Sequence, residues 1–86
     1  MITAAQCRAA RALLGWSQDQ LAAASNVAKA TIATFETGKR TPYERTLSDM
    51  RKALEEAGVV LMADGEAIDG GEGVRLQTTR VVDGGE

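Results

Sequence analysis

The chain has no histidine, one cysteine (Cys7), one proline (Pro42) and only three aromatic side chains. Without histidine the commonest general base, the usual nucleophilic triads and most transition-metal sites are missing. A single cysteine cannot close an internal disulfide or complete a multi-cysteine zinc set, and it fits a reducing compartment. No enzyme activity, cofactor or metal is therefore expected, and no catalytic or metal-binding residue is assigned. Large apolar side chains are also scarce, since 15 of the 38 hydrophobic residues are alanine. Such a chain supports one small core with a thin stability margin, which favours oligomerisation. Long apolar runs are absent too. The longest strongly apolar stretch, residues 59–63, is too short to cross a bilayer, and Arg8 and Arg11 interrupt the alanine-rich start where a signal peptide would need an unbroken run. The expectation is a cytoplasmic protein with no membrane partner.

What is present is unevenly spread. Net charge is −2, yet residues 1–56 hold eight basic and six acidic residues, whereas residues 57–86 hold two basic and six acidic ones. The first part is thus +2 and the second −4. Six of the nine glycines stand at or after Gly65. The composition predicts a compact unit over residues 1–58, an extension over 59–78 and a flexible tail over 79–86, with 64–73 loop-like.

The first unit reads as four helices. Thr3 and Gln6 form a capping-box pattern that opens a helix to about residue 14, with Cys7, Ala10, Leu13 and Leu14 on one face. Gly15 stops it. Ser17 and Gln20 repeat the pattern for a short helix to about residue 24. After a tight connector, a third helix is expected over 29–36, with Ile32 and Phe35 inward and Gly38 ending it in the left-handed conformation. The basic loop 39–42 leads to a fourth helix over 44–57, striped by Leu47, Met50 and Leu54 and ended by Gly58.

Beyond Gly58 the period changes. Residues 59–63 form an apolar run, and residues 73–78 alternate apolar with polar, the pattern of a half-buried strand. Ten residues separate Ala63 from Val74, which is long for a hairpin. An unpaired strand this apolar invites aggregation, so it must pair within the chain, with a second copy, or both. Val59, Val60, Leu61, Met62, Val74 and Leu76 are the expected dimerisation residues.

Two short helices around a tight turn, inside a larger helical unit, are the size and order of a helix-turn-helix. The string Ala-Arg-Ala-Leu-Leu-Gly-Trp-Ser-Gln-Asp-Gln-Leu-Ala over residues 10–22 carries a resemblance. So do Val27, Thr31-Ile32, Phe35-Glu36, Gly38-Lys39-Arg40 and Pro42. Across about residues 5–57 the chain resembles the phage-repressor-like helix-turn-helix family (Cro/cI, XRE type). The resemblance implies a mainly α fold: a compact four-helix lambda-repressor-like DNA-binding domain, here with a C-terminal two-strand β extension. It also implies that double-stranded DNA is the partner and that the 29–36 helix lies in the major groove, where base edges are distinguishable. Lys29, Ala30, Ala33 and Thr34 are then the base-contacting candidates, with Thr37 at their margin. Gln18, Thr31, Lys39, Arg40 and Arg45 are the phosphate-contacting candidates, which position the protein without reading sequence. So few hydrogen-bonding groups on the reading face imply modest direct readout and more reliance on DNA shape. Ala28 stands where family members usually place a Ser or Thr cap.

The same resemblance assigns Arg11 and Glu36 to an internal ion pair. Trp16, Ile32 and Phe35 are expected in the core. Cys7 is expected to be a buried, inert thiol, because reactive cysteines need exposure and nearby positive charge. Arg51 and Lys52 are expected in solvent. The stretch 65–73 lacks the Gly-Lys-Ser/Thr ending of a phosphate loop, and its acids (Asp64, Glu66, Asp69, Glu72) lack EF-hand spacing. The expected function is a dimeric transcriptional regulator, an autorepressor on a two-fold-symmetric operator. The alternative is an antitoxin whose acidic C-terminal region binds a basic toxin. A non-DNA interaction module is a third reading.

Overall fold

A computed structural model describes residues 1–63 and 71–76. Four helices, α1 (Ala4–Leu14), α2 (Gln18–Ser25), α3 (Lys29–Glu36) and α4 (Glu44–Glu56), precede two strands, β1 (Val59–Met62) and β2 (Gly73–Leu76). Asp64, Glu66 and Asp69, the expected strand residues Gln77 and Thr78, and the 79–86 tail lie outside the described residues.

Side chains set where the first two helices begin. Thr3 Oγ1 accepts from the Gln6 backbone N–H, and Gln6 Oε1 accepts from the Thr3 N–H, each at 3.1 Å. Ser17 and Gln20 repeat the arrangement at 3.1 and 2.7 Å. Both boxes satisfy backbone donors that a helix start leaves without partners. The start of α3 has no such help, since Ala28 at its N-cap offers no side-chain hydrogen bond. Asn26, at φ 60°, makes the tight turn between α2 and α3. It is one of the few residue types that enter the left-handed region readily. Gly38, at φ 80°, and Gly58, at φ 107°, turn the chain after α3 and α4.

One core joins all of these elements. Cys7 and Ala10 from α1, Leu21 from α2, and Ile32 and Phe35 from α3 meet Leu47, Met50, Ala53 and Leu54 from α4. Ile2, Val27, Val59 and Leu61 complete it, with Leu14, Trp16 and Val74 packed against its margin. Each fully buried Leu or Ile contributes about 1.5–3 kcal/mol of apolar burial. Leu13 departs from expectation, being 44 % exposed. It lies six residues from Cys7, which at about 100° per residue puts it some 120° around the helix from that side chain.

The strands pair with each other. They run antiparallel in the register Val59↔Leu76, Val60↔Arg75, Leu61↔Val74 and Met62↔Gly73. Val59 and Leu61 face the helices and Val60 faces away. Gln6 bonds both strands at the Met62–Gly73 end of the pair: its amide donates to the Met62 carbonyl at 2.8 Å and to the Gly73 carbonyl at 3.0 Å. Thr3 Oγ1 adds a 2.7 Å hydrogen bond to Glu72. The N-terminus of α1 thus takes the place of a short hairpin turn in fixing the register. Among the described residues, no helix is long and apolar enough to cross a membrane.

Candidate nucleic-acid interface

The geometry begins at a buried carboxylate. Glu36, the last residue of α3, is 4 % exposed. Its Oε1 accepts from Arg11 Nη2 at 2.7 Å and from Gln18 Nε2 at 2.9 Å. Its Oε2 accepts from Arg11 Nε at 2.8 Å and from the Cys7 thiol at 3.0 Å. The Arg8 guanidinium reaches the Glu36 backbone carbonyl. One residue therefore ties α1 and α2 to the end of α3 and fixes the angle at which α3 is presented. Burial alone would push the Glu36 pKa up, but hydrogen bonds from Arg11, Cys7 and Gln18 outweigh it and hold the group below its ordinary value. The Arg11 guanidinium moves the opposite way, mainly through its hydrogen bonds to Glu36. Burial pushes the Cys7 thiol up, and the hydrogen bond to Glu36 pushes it further. A thiol that stays protonated and has no exposed surface is not a nucleophile.

The outer face of α3 follows from this anchoring. With Ile32, Phe35 and Glu36 buried, Lys29, Ala30 and Thr34 are exposed and Ala33 is half-buried. The Lys29 ammonium lies 3.4 Å from the Asp19 carboxylate on α2. Thr34 Oγ1 shares its proton between the carbonyls of Ala30 and Thr31, each at 3.1 Å. Its lone pairs are left to accept from a base amino group. Thr37, exposed just past the helix, donates back to the Thr34 carbonyl at 3.0 Å.

Beside α3 a hollow of about 380 Å³ is lined by Thr31, Arg40, Thr41, Pro42, Tyr43 and Thr46. It brings together two expected phosphate-contacting residues, Thr31 and Arg40. Lys39 and Arg45 are exposed but do not line it. Gln18 is half-buried, and one N–H of its amide donates to Glu36, leaving the second for another acceptor. A phosphate at the start of α2 would also meet the backbone N–H groups there. Tyr43 and Thr46 have no part in the sequence reading, yet they share the hollow. Tyr43, at 87 % exposure, is the most exposed large hydrophobic side chain among the described residues. Its place directly before α4, just after the basic loop 39–42, is the signal the sequence offers.

An ammonium at its start and a guanidinium in the hollow beside Thr31 thus flank α3, and the Thr34 hydroxyl adds acceptor lone pairs on its exposed face. Such a surface fits a polyanion with a groove. A family model described as helix-turn-helix matches residues 8–57. No curated protein matches the chain.

Proposed function

We propose that this chain, which belongs to the XRE-type helix-turn-helix family of DNA-binding transcription regulators, works as a dimeric autorepressor that reads a two-fold-symmetric operator. In this reading α3 enters the major groove. Lys29, Ala30, Ala33 and Thr34 face the base edges, Lys29 donating to guanine and the alanines touching thymine methyls. Thr31, Lys39, Arg40 and Arg45 hold phosphates on either side, and the hollow beside α3 seats one of them. The observation that carries the DNA-binding part of the proposal is that Arg40 and Thr31 of α3 line one hollow, beside a helix whose Lys29, Ala30 and Thr34 are exposed. A groove-reading helix needs its backbone grip within a phosphate or two of the bases it reads.

Dimerisation is proposed to use the outer surface of the strand pair. Val59 and Leu61, with Val74 opposite Leu61, are spent on the chain's own core, so Val60, 39 % exposed, and Met62 are what this surface can offer a second copy. Repression follows from occupancy of a promoter-proximal site and needs no further domain.

Selection of bound duplexes from random DNA at a stated salt concentration tests the proposal. The expected outcome is a two-fold-symmetric consensus with half-site centres one DNA turn, about 34 Å, apart. The Val60→Lys variant should keep its fold but sediment as a monomer and select single half-sites. Absence of enrichment would count against the whole reading. The −4 charge of residues 57–86 supports a second reading, in which the protein is an antitoxin and that region holds a basic toxin. Co-purification of a growth-inhibiting partner that residues 57–86 retain in the bound state would favour it.

A further inference from the structure

The ion pair between Asp19 and Lys29 lies outside what the function above requires. Asp19 is in the first turn of α2 and Lys29 is the first residue of α3, so their 3.4 Å contact bridges the two helices of the motif at the face turned outward. Both side chains stand well into solvent, 71 % and 56 % exposed. A pair this wet contributes little to stability, and salt screens it further. A carboxylate beside the leading cation of a DNA-reading helix also opposes a polyanion. Its presence there calls for a different account from holding the fold.

We propose that Asp19 and Lys29 act as one reading unit that selects a G·C base pair, with guanine on the Lys29 side and cytosine on the Asp19 side. The inference rests on the DNA-binding reading above. An ammonium only donates and an ionised carboxylate only accepts. In the major groove a G·C pair presents two acceptors, guanine N7 and O6, followed by one donor, the cytosine N4 amino group. The ammonium meets the two acceptors and the carboxylate meets the amino group, so all three edge groups are matched. An A·T pair in the same place has adenine N7 for the ammonium and N6 for the carboxylate, but leaves thymine O4 unmatched and its methyl group against charge. A reversed C·G pair sets donor against donor and acceptor against acceptor. The rest of the face, Ala30, Ala33 and Thr34, carries a single hydrogen-bonding side chain. The ion pair is therefore the densest source of direct readout that α3 has. Asp19 also discourages Lys29 from settling on a phosphate, which keeps the ammonium for base edges.

The test is competition binding at fixed salt, with each half-site position of a selected operator carried through all four base pairs. Wild type, Lys29→Ala, Asp19→Asn and Asp19→Glu are compared, and thermal melting confirms that each is folded. Wild type should prefer G·C at one position by about 5- to 150-fold. Lys29→Ala and Asp19→Asn should both flatten that preference at that same position, and Asp19→Glu should keep most of it. Asp19→Asn should bind random duplex as tightly as wild type or more so, because a negative charge has gone. Unchanged base preference in Asp19→Asn would overturn the inference while leaving DNA binding intact. So would loss at a position different from that of Lys29→Ala. If wild type bound no duplex at any salt, the functional reading would fail and take this inference with it.

Discussion

Glu36 shows how much of this fold one residue can govern. It accepts four hydrogen bonds from three side chains on two other helices. Its carboxyl sits below its ordinary value in the folded chain, so the unfolded chain binds more protons wherever the group titrates. The stabilisation is fully present above the unfolded value of about 4.3 and is lost as pH falls through the folded one. The urea midpoint should decline as pH drops below about 5, and Glu36→Gln should flatten that part of the profile. At pH 7 the same substitution should cost about 3 kcal/mol, the lower end for a broken buried pair, because Arg11 keeps some contact with water. A pH profile identical to wild type would remove Glu36 from this role. The resemblance to known repressors made the Arg11–Glu36 pair legible in the sequence. The parts played by Cys7 and Gln18 were not, because three helices must pack before those side chains share one carboxylate.

At the scale of elements, chain chemistry announced most boundaries and tertiary packing supplied the rest. Thr3 with Gln6 and Ser17 with Gln20 cap α1 and α2, as the spacing in the sequence requires. The second role of Gln6, donating to the carbonyls of both strands, could not be read from a capping pattern. It depends on β1 and β2 arriving beside the start of α1. Ile2 was likewise silent, since one apolar residue ahead of a helix has no period to belong to, yet it is 2 % exposed. The candidate site divides in the same way. The exposed face of α3 follows from helical spacing once Ile32 and Phe35 are buried. Tyr43 and Thr46 enter only because the end of the loop and the first turn of α4 lie beside Thr31 of α3. The starts of α3 and α4 both lack a side-chain cap, and at α3 Ala28 has an extended backbone suited to one but no side chain to provide it. Ala28→Ser should raise stability by about 1 kcal/mol in urea denaturation. No gain would mean that the first N–H groups of α3 are already satisfied by water.

For the whole molecule, the mixed charge has a structural meaning. The +2 region carries Lys29, Lys39, Arg40 and Arg45 on and after α3, and the −4 region follows the last turn of α4. Modest net acidity predicts weak non-specific binding, so sequence preference has to come from few contacts. The strands also belong to the core, through Val59 and Leu61. Removing them would strip apolar contacts from α1 and α4 and leave the buried Gln6 amide without its carbonyls. The central claim is a division of labour: α3 reads bases at Lys29 while Arg40 grips phosphate. It is tested most directly by titrating wild type, Lys29→Ala and Arg40→Ala with a selected operator and a scrambled duplex across about 50–200 mM salt. Arg40→Ala should weaken both duplexes alike and flatten the salt slope by about one unit. Lys29→Ala should cost about 1–3 kcal/mol on the operator and much less on the scrambled duplex. Equal losses on both duplexes for Lys29→Ala, or an operator-only loss for Arg40→Ala, would contradict the account.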